Sequence, residues 1–291
     1  MTSTGLFAVV VPPLAREPRG ATLLRSANLI TETDPRWMQG ITWRPLVCGS
    51  SDIVQSIGIC GGAFSAFTTS AQPSTEQYVP PHVAVGLSCS AFSGEETLRD
   101  TVERASALLD RCQTLGIADE LWTGTAAASE APDLPNNFLT KAPATPNGVT
   151  ATAVIKALAD LEAYLVGASC AGPGMIHATV RTATYWASQN LVDRTPDGRL
   201  VTKLGTIVVA DPGYDGSSPS GVAPVGETAW AYATGMVDVR LGPVELIPAE
   251  DLAPGVAWAN NDFDVYAHRA FAATFDPCTL GGILVNHASI A

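Results

Sequence analysis

The sequence predicts an α+β fold in which one long amphipathic helix packs against β-structure. Between residues 94 and 115, apolar side chains recur every three or four positions, which is the spacing of one helical face. The residues of this predicted inward face are Leu98, Val102, Ala105, Leu108/Leu109, Cys112 and Leu115. Several later segments, above all 262–275, alternate apolar and polar residues with the period of two that half-buried strands show. The elements do not alternate as strand–helix–strand units, so a doubly wound nucleotide-binding fold is disfavoured.

The composition suggests a protein that associates with itself. The 291 residues allow one large domain or two modest ones, and only 15% of them are charged against a usual value of about a quarter. A weakly charged surface is expected to meet something other than water, and self-association is the simplest explanation. No apolar run approaches the roughly 20 residues of a membrane span, and no basic leader precedes residues 5–11, so neither an anchor nor a signal peptide is expected.

Charge and cysteine content restrict the function further. The formal net charge of −12 argues against tight binding of nucleic acid through its phosphates, although a container wall that repels packed DNA is compatible with it. The six cysteines lie far apart and form no Cys-x-x-Cys pair. They are therefore predicted to be reduced, mostly buried thiols of a protein made in a cytosol.

The first third of the chain should contain two protruding segments. Residues 1–36, with prolines at 12, 13 and 18, predict an arm that lies across something else, with a possible short helix at 21–29. Residues 37–47 predict a strand, and residues 48–81, rich in Gly, Ser, Thr and Gln, predict a long hairpin or extended loop. A strand at 82–89 then leads into the long helix, which Gly116 is expected to end or kink.

The remaining elements follow from local signals. Residues 133–148 are Pro/Asn-rich and predict a boundary or surface loop. A helix at 152–166, with Ile155 among its inward residues, should stop at Gly167, and Thr179 can cap a helix at 180–190. Strands are predicted at 174–178, on both sides of the turn at 196–198, and at 206–210, 228–234, 236–241, 244–248, 262–275 and 282–285.

Motifs of catalysis are incomplete in this sequence. Residues 167–171 lack the last glycine of a hydrolase nucleophile elbow, and residues 211–216 resemble a calcium loop but lack its third oxygen ligand and distal glutamate. His177 is predicted to be a hydrogen-bonded core or interface residue, and Asp262 with Asp264 to be solvated edge charge instead of an acid–base pair. No catalytic, cofactor-binding or metal-ligating residue is predicted.

Six segments, in this order, together resemble major capsid proteins of tailed bacteriophages, particularly those that infect actinobacteria. That family has the Hong Kong ninety-seven type capsid fold, which encapsulin shells share, and the resemblance covers roughly residues 35–291. The segments are Glu-Leu-Trp-Thr-Gly at 120–124, Ala-Leu-Ala-Asp-Leu-Glu at 157–162, Gly-Met-Ile-His at 174–177, Leu-Gly-Thr-Ile-Val-Val at 204–209, Gly-Tyr-Asp-Gly at 213–216 and Trp-Ala-Tyr-Ala-Thr-Gly at 230–235.

The resemblance implies a division of the chain. Residues 1–36 would be the N-terminal arm, and residues 37–93 the extended-loop hairpin with its flanking strands. Residues 94–125 and 256–291 would form the peripheral domain around the long spine helix, and residues 126–255 the axial domain. The candidate contacts between subunits are Trp37, Trp43, Ile57, Ile59, Phe64, Phe67, Tyr214 and Asp215.

The resemblance also implies a function, a major capsid protein that assembles into the hexamers and pentamers of an icosahedral phage head around double-stranded DNA. Its expected partners are copies of itself, with a separate scaffolding protein, a portal and decoration proteins as further candidates; no cofactor, no membrane and no sequence-specific DNA contact are expected. An encapsulin-like compartment and an unrelated soluble enzyme with an Asp/His site remain alternatives. Some relatives join subunits through a lysine–asparagine isopeptide bond, but no lysine precedes Lys141, so a shell without that bond is expected.

Overall fold

The computed structural model describes residues 20–43, 76–90, 98–130, 138–141, 143–145, 150–168, 174–247, 256–257, 262–276 and 279–289. Five helices are found there, together with one 3₁₀ turn at Pro35–Gln39. The helices are α1 Leu23–Ser26, α2 Leu98–Thr123, α3 Thr125–Glu130, α4 Val154–Ala168 and α5 Val180–Ser188. The strands are β1 Asn28–Thr31, β2 Ile41–Trp43, β3 Glu76–Tyr78, β4 His82–Ser90, β5 Thr152–Ala153, β6 Gly174–Ala178, β7 Val192–Arg194, β8 Leu200–Thr202, β9 Ile207–Val209, β10 Thr228–Gly235, β11 Asp238–Leu241, β12 Glu245–Ile247, β13 Val256–Ala257, β14 Asp262–Thr274 and β15 Gly281–Asn286.

A six-stranded sheet forms around the long strand β14. Its order is β1-β11-β14-β12, and β13 and β4 also pair with β14. The pairing with β4 is antiparallel and extends from Asp262 opposite Ser90 to Ala270 opposite His82. Strand β14 joins the whole sheet because its first part pairs with β4 and its last four residues pair with β11.

The long helix α2 covers one face of this sheet. Val102, Ala105 and Leu109 pack against Val265 and Ala267 of β14. The helix passes Gly116 without ending and continues to Thr123, which corrects the prediction that it could end there. A Cβ atom on Gly116 would lie 3.1 Å from Cγ2 of Val83, so the glycine allows close packing of the helix on β4.

The buried stripe of α2 differs from the predicted one in its middle. Cys112 is exposed and Leu115 is 52% exposed, although both were predicted to face inward. The polar Gln113 and Thr114 are buried in their place. Arg269 Nη1 of β14 donates to Gln113 Oε1 at 3.2 Å, so a hydrogen bond across the helix–sheet interface explains the buried polar side chain.

A seven-stranded sheet, in the order β5-β15-β10-β6-β9-β8-β7, forms the second layer. Alternate residues of its central strand β10 face two different hydrophobic clusters. Ala231 and Ala233 face the cluster formed with α4, whereas Trp230 and Tyr232 face the cluster formed with the second half of α2. Because successive side chains of β10 point to opposite faces of the sheet, this one strand packs against both α2 and α4.

Strand pairing joins segments that lie far apart in the sequence. β15 pairs with β10 in the seven-stranded sheet. β11 and β12 pair with β14 in the six-stranded sheet. The physical reason is that local alternation identifies a strand, whereas its partner is chosen by packing between segments far apart in sequence.

The described part of the predicted arm packs on its own chain. Leu23 is fully buried in the main core, and β1 pairs in parallel with β11. Within the predicted strand at 37–47, the described residues 37–43 contain the end of a 3₁₀ turn followed by the short strand β2, and residues 44–47 lie outside the described residues. Helix α4 continues one residue past Gly167, whereas α5 begins after a Thr179 cap as predicted, because the Thr179 hydroxyl accepts from the Thr182 N–H at 3.2 Å.

Candidate functional site

The described residues contain no group of three His, Cys, Asp or Glu side chains able to hold a metal ion. None of the helices traced in the described ranges has the length and apolar character needed to cross a bilayer. Three features could carry a function: a buried polar junction around residues 211–217, an exposed apolar surface around α4, and the exposed loop of residues 218–226.

Asp211 anchors the junction from inside the protein. Its Oδ2 accepts from the Leu23 N–H at 3.0 Å, and its Oδ1 accepts from the Gly213 N–H at 3.2 Å. Burial raises the pKa of this carboxyl from 3.8 to about 6, and the two N–H donors only partly oppose that effect. Because both oxygens bind backbone amides, residues 211–216 form a structural turn and not the calcium loop that the sequence weakly resembled.

Aromatic side chains connect the C-terminal end of helix α2 to this turn. Trp122 Nε1 donates to Ser217 Oγ at 2.9 Å, and Tyr232 Oη donates to the Ser217 carbonyl at 2.9 Å. The Trp122 ring lies 4.8 Å from that of Tyr214 and 4.9 Å from that of Tyr232, measured between centroids. Each buried polar tip has a partner, so this cluster is a packed core with satisfied hydrogen bonds.

His177 lies in the same core and is confirmed as a hydrogen-bonded core residue. Its Nδ1 is 2.9 Å from Tyr214 Oη, its Nε2 is 2.9 Å from Thr234 Oγ1, and its side chain is fully buried. Burial lowers the pKa of this imidazole from 6.5 to about 3, so it is neutral at physiological pH. Without an exposed nitrogen it can neither shuttle protons nor contact a substrate.

The eight candidate contact residues fall into three groups. Trp37 and Tyr214 are only 7% and 4% exposed and pack inside their own chain, which leaves them little surface for another subunit. Asp215 is exposed and accepts from the Ser217 N–H at 2.7 Å, and Trp43 ends β2, paired with Glu76 of β3. The remaining four, Ile57, Ile59, Phe64 and Phe67, lie outside the described residues. Their contact role stays a prediction.

An apolar groove that the sequence did not reveal runs beside α4. Its volume is about 530 Å³, and its walls come from α4 and from the turn that connects β8 to β9. Ile155, Val166 and Leu204 are 39%, 72% and 79% exposed there, which corrects the inward orientation predicted for Ile155. The exposure of Leu204 could have been predicted from the sequence, because a large aliphatic residue next to Gly205 in a tight turn is poorly placed to reach the core.

A second exposed apolar feature is the loop of residues 218–226, which we call the valine loop. Val222 and Val225 are 59% and 77% exposed. The loop is held by Ser218, whose N–H donates to the Val222 carbonyl at 2.9 Å and whose Oγ accepts from the Val222 N–H at 3.1 Å. It therefore displays its valines from a defined conformation.

Comparison with solved structures identifies this arrangement. A capsid chain of a native GTA particle is 14% identical, with a TM-score of 0.55, 97% of this chain covered and 96% of that chain. The capsid chain of Ralstonia phage GP4 is 10% identical, with a TM-score of 0.54 and coverage of 98% and 96%. The holo-SrpI encapsulin of Synechococcus elongatus PCC 7942 is 10% identical, with a TM-score of 0.52 and coverage of 98% and 93%. No protein-family model and no curated protein matches the sequence.

The chain has the capsid fold. The predicted Hong Kong ninety-seven type α+β fold is confirmed, with α2 as its long helix and nearly the whole length of each capsid chain matched. Within the capsid fold, the buried junction joins α2, the N-terminal segment and the seven-stranded sheet. The groove and the valine loop are exposed apolar features that lie next to strands of that sheet in the chain.

Proposed function

We propose that this chain is the major capsid protein of a tailed bacteriophage. It assembles with copies of itself into the hexamers and pentamers of an icosahedral head that encloses double-stranded DNA. It is made in the cytoplasm of the bacterial host and resides in the virion, where it acts as a structural protein and not as an enzyme. The observation that carries the proposal is the capsid fold over nearly the entire length of two phage-type shell chains.

Surface chemistry supports the same proposal. Large aliphatic side chains at positions 155, 166, 204, 222 and 225 are exposed on a chain that has few charges. A solitary protein gains nothing from such a surface, whereas a shell subunit buries it against neighbours. The net charge of −12 suits an inner wall that does not bind packed DNA. The division into peripheral and axial domains, and the roles of scaffolding, portal and decoration proteins, belong to this proposal.

Expression of the chain alone tests self-assembly. Size-exclusion chromatography and electron microscopy are expected to show closed particles of uniform diameter, or rings of five or six subunits. A stable monomer with catalytic turnover would contradict the proposal and favour the soluble enzyme.

An encapsulin-like shell is the second candidate, because an encapsulin shares the fold at a TM-score of 0.52. Particles purified from the natural source separate the two candidates. A phage head is expected to contain DNA that resists added nuclease, whereas an encapsulin is expected to contain one abundant cargo protein and no such DNA.

A further inference from the structure

We propose that the open edge of strand β4 is an assembly contact, to which a second copy of this chain adds an extended acidic segment as a further strand. The proposal rests on the proposed shell function and names one of its contacts. Three features of the molecule support it: the backbone of β4, the exposed apolar residues of α2 beside it, and an arginine next to both.

Strand β4 has one paired edge and one open edge. In the described parts of the chain it pairs with β14 and with no other strand. The Phe271 N–H donates to the Pro81 carbonyl at 3.0 Å, which fixes the alternation of the antiparallel ladder. Odd-numbered residues of β4 therefore direct their N–H and C=O groups to β14, whereas even-numbered residues direct theirs to the open edge. These outward-facing and exposed residues are His82, Ala84, Gly86 and Ser88.

The open edge lacks the features that protect exposed strands from further pairing. Residues 82–90 contain no proline and no Lys, Arg, Asp or Glu side chain. Their register opposite β14 is continuous, so no bulge twists the edge away. Charges, prolines and bulges are the usual protection of an edge strand. A nine-residue edge without them is suited to accept another strand through its backbone groups.

Apolar side chains of α2 border this edge. A cleft of about 190 Å³, which we call the edge cleft, lies between Leu87 of β4 and the part of α2 that carries Leu108. Leu108, Cys112 and Leu115 share one side of the helix, because they are four and three residues apart. Cys112 is exposed and Leu115 is 52% exposed, although the sequence pattern places both in the apolar stripe. A strand added to β4 lies next to this stripe and covers it.

Arg111 gives the contact a preference for negative charge. It lines the edge cleft together with Arg104, and it forms no ion pair within the described ranges. A guanidinium at the wall of an apolar cleft favours a carboxylate over a neutral group. The residues three and four positions away on the helix offer no carboxylate, since they are Ala107, Leu108, Thr114 and Leu115.

A second copy of the chain can supply that carboxylate. Each chain carries 28 Asp and Glu residues against 16 Lys and Arg residues, so its net charge of −12 complements the arginines of the edge cleft. Pairing of β4 with β4 of the second copy is disfavoured, because it brings the arginines of both chains together. The added strand therefore comes from a different part of the second copy. Such a contact between unlike surfaces is heterologous and forms a ring if the rotation closes.

Proline at the open edge tests the addition of a strand. Ala84→Pro removes an N–H that points away from β14, so the ladder within the chain keeps its hydrogen bonds. The variant is expected to lower the yield of assembled particles at least tenfold, with unchanged thermal unfolding of the unassembled chain. A wild-type yield overturns the contact and leaves the shell function standing.

Arg194→Pro is the matched control for this variant. The Thr195 N–H donates to the Arg199 carbonyl at 2.9 Å, so the N–H of Arg194 points away from β8 at the open edge of the other sheet. The control is expected to assemble with the wild-type yield. An equal loss of particles in the two proline variants overturns the specific role of β4.

An amine at position 111 identifies the partner. A carbodiimide joins the amine that Arg111→Lys introduces to a carboxylate in contact with it. In particles assembled from unlabelled and isotope-labelled chains, mass spectrometry is expected to find position 111 linked to an Asp or Glu of another copy. Arg194→Lys, at an exposed position of β7, is the control and is expected to give at least tenfold less of this product. Links only within one chain, links to a different protein, or no excess over the control overturn the proposal.

Reversal of the charge gives a second readout that does not depend on the proline variant. Arg111→Glu is expected to lower the particle yield at least tenfold, whereas Arg194→Glu is expected to leave it unchanged. A wild-type yield of Arg111→Glu overturns the charge preference of the edge cleft. A wild-type chain that forms no particles or rings removes the shell function itself, and this contact fails with it.

Discussion

The backbone N–H of Leu23 donates a hydrogen bond to the carboxylate of Asp211, 188 residues later in the chain. The same carboxylate accepts from Gly213 and begins the turn on which α2 ends. One side chain therefore fixes the N-terminal segment and the loop after β9 to each other. This relationship makes Asp211 the first residue to test.

Removal of the Asp211 carboxylate should destabilise the unassembled chain. In Asp211→Ala, two buried N–H groups lose their acceptor, at a cost of about 1–3 kcal/mol for each group left without one. Chemical denaturation of the soluble chain measures the loss. Asp193→Ala is the control, because its ion pair with Lys203 is exposed and should contribute less than about 1 kcal/mol. Equal losses in the two variants would contradict the structural role of Asp211.

The raised pKa of Asp211 predicts a dependence of stability on pH. Between pH 3.8 and about 6 the folded chain keeps a proton that the unfolded chain has released. This contribution to the free energy of unfolding is therefore present below about pH 4 and is lost as the pH rises through 6, by about 3 kcal/mol at most. Asp211→Asn lacks this term, so its stability relative to wild type should be higher at pH 8 than at pH 4. The same difference at both pH values would refute the shift.

His177 should produce the opposite dependence. Below pH 6.5 the unfolded chain takes up a proton that the buried imidazole, with its pKa near 3, does not bind. Its contribution is thus complete above pH 6.5 and is lost as the pH falls, at about 1.4 kcal/mol per pH unit at most. His177→Gln keeps hydrogen-bonding atoms for Tyr214 and Thr234 and should reduce the acid sensitivity, as followed by melting temperature from pH 7 to pH 4. An acid sensitivity of His177→Gln equal to that of wild type would contradict the buried, neutral imidazole.

Substitution by alanine should lower the stability of the chain at one glycine and raise it at another. A Cβ on Gly213 would lie 2.4 Å from the Leu115 carbonyl oxygen and 2.8 Å from the Asp119 nitrogen, so Gly213→Ala must push the turn away from α2. A loss of about 1–3 kcal/mol is expected. Gly167, within α4, has no atom within 4 Å of such a Cβ, and Gly167→Ala should stabilise the chain by up to about 1 kcal/mol. Thermal unfolding of both variants measures these changes in stability. A Gly213→Ala variant as stable as wild type would show that the turn is not in close contact with the helix.

Assembled particles should lack a lysine-based covalent bond in the extended loop. No lysine precedes Lys141, so residues 41–82 contain no amine side chain for an isopeptide bond. Denaturing gels of boiled, reduced particles should therefore show a single band at the 30.2 kDa monomer mass. A ladder of higher bands that resists reduction would contradict this prediction.

The site could be predicted from the sequence only in part. The core role of His177 followed from its dispersed position after an apolar strand, and the Thr179 cap followed from residue type alone. The buried stripe of α2 was misjudged at Cys112 and Leu115, because Gln113 is buried through a hydrogen bond to Arg269, a residue 156 positions away. The groove was not predicted, because its walls belong to α4 and to a turn about forty residues later, and no local pattern joins them.

By itself the sequence determined the α+β class, the long helix and most strands, because periodicity and turn residues act over a few positions. The likeness to shell proteins came from the resemblance of six short segments to that family. Only the tertiary structure decided that β15 pairs with β10 and that β11 pairs with β14, that Asp211 holds Leu23, and that Leu204 and Val225 face solvent. These outcomes depend on contacts between distant segments, whose free energies come from burial and hydrogen bonding that exist only after the chain has folded.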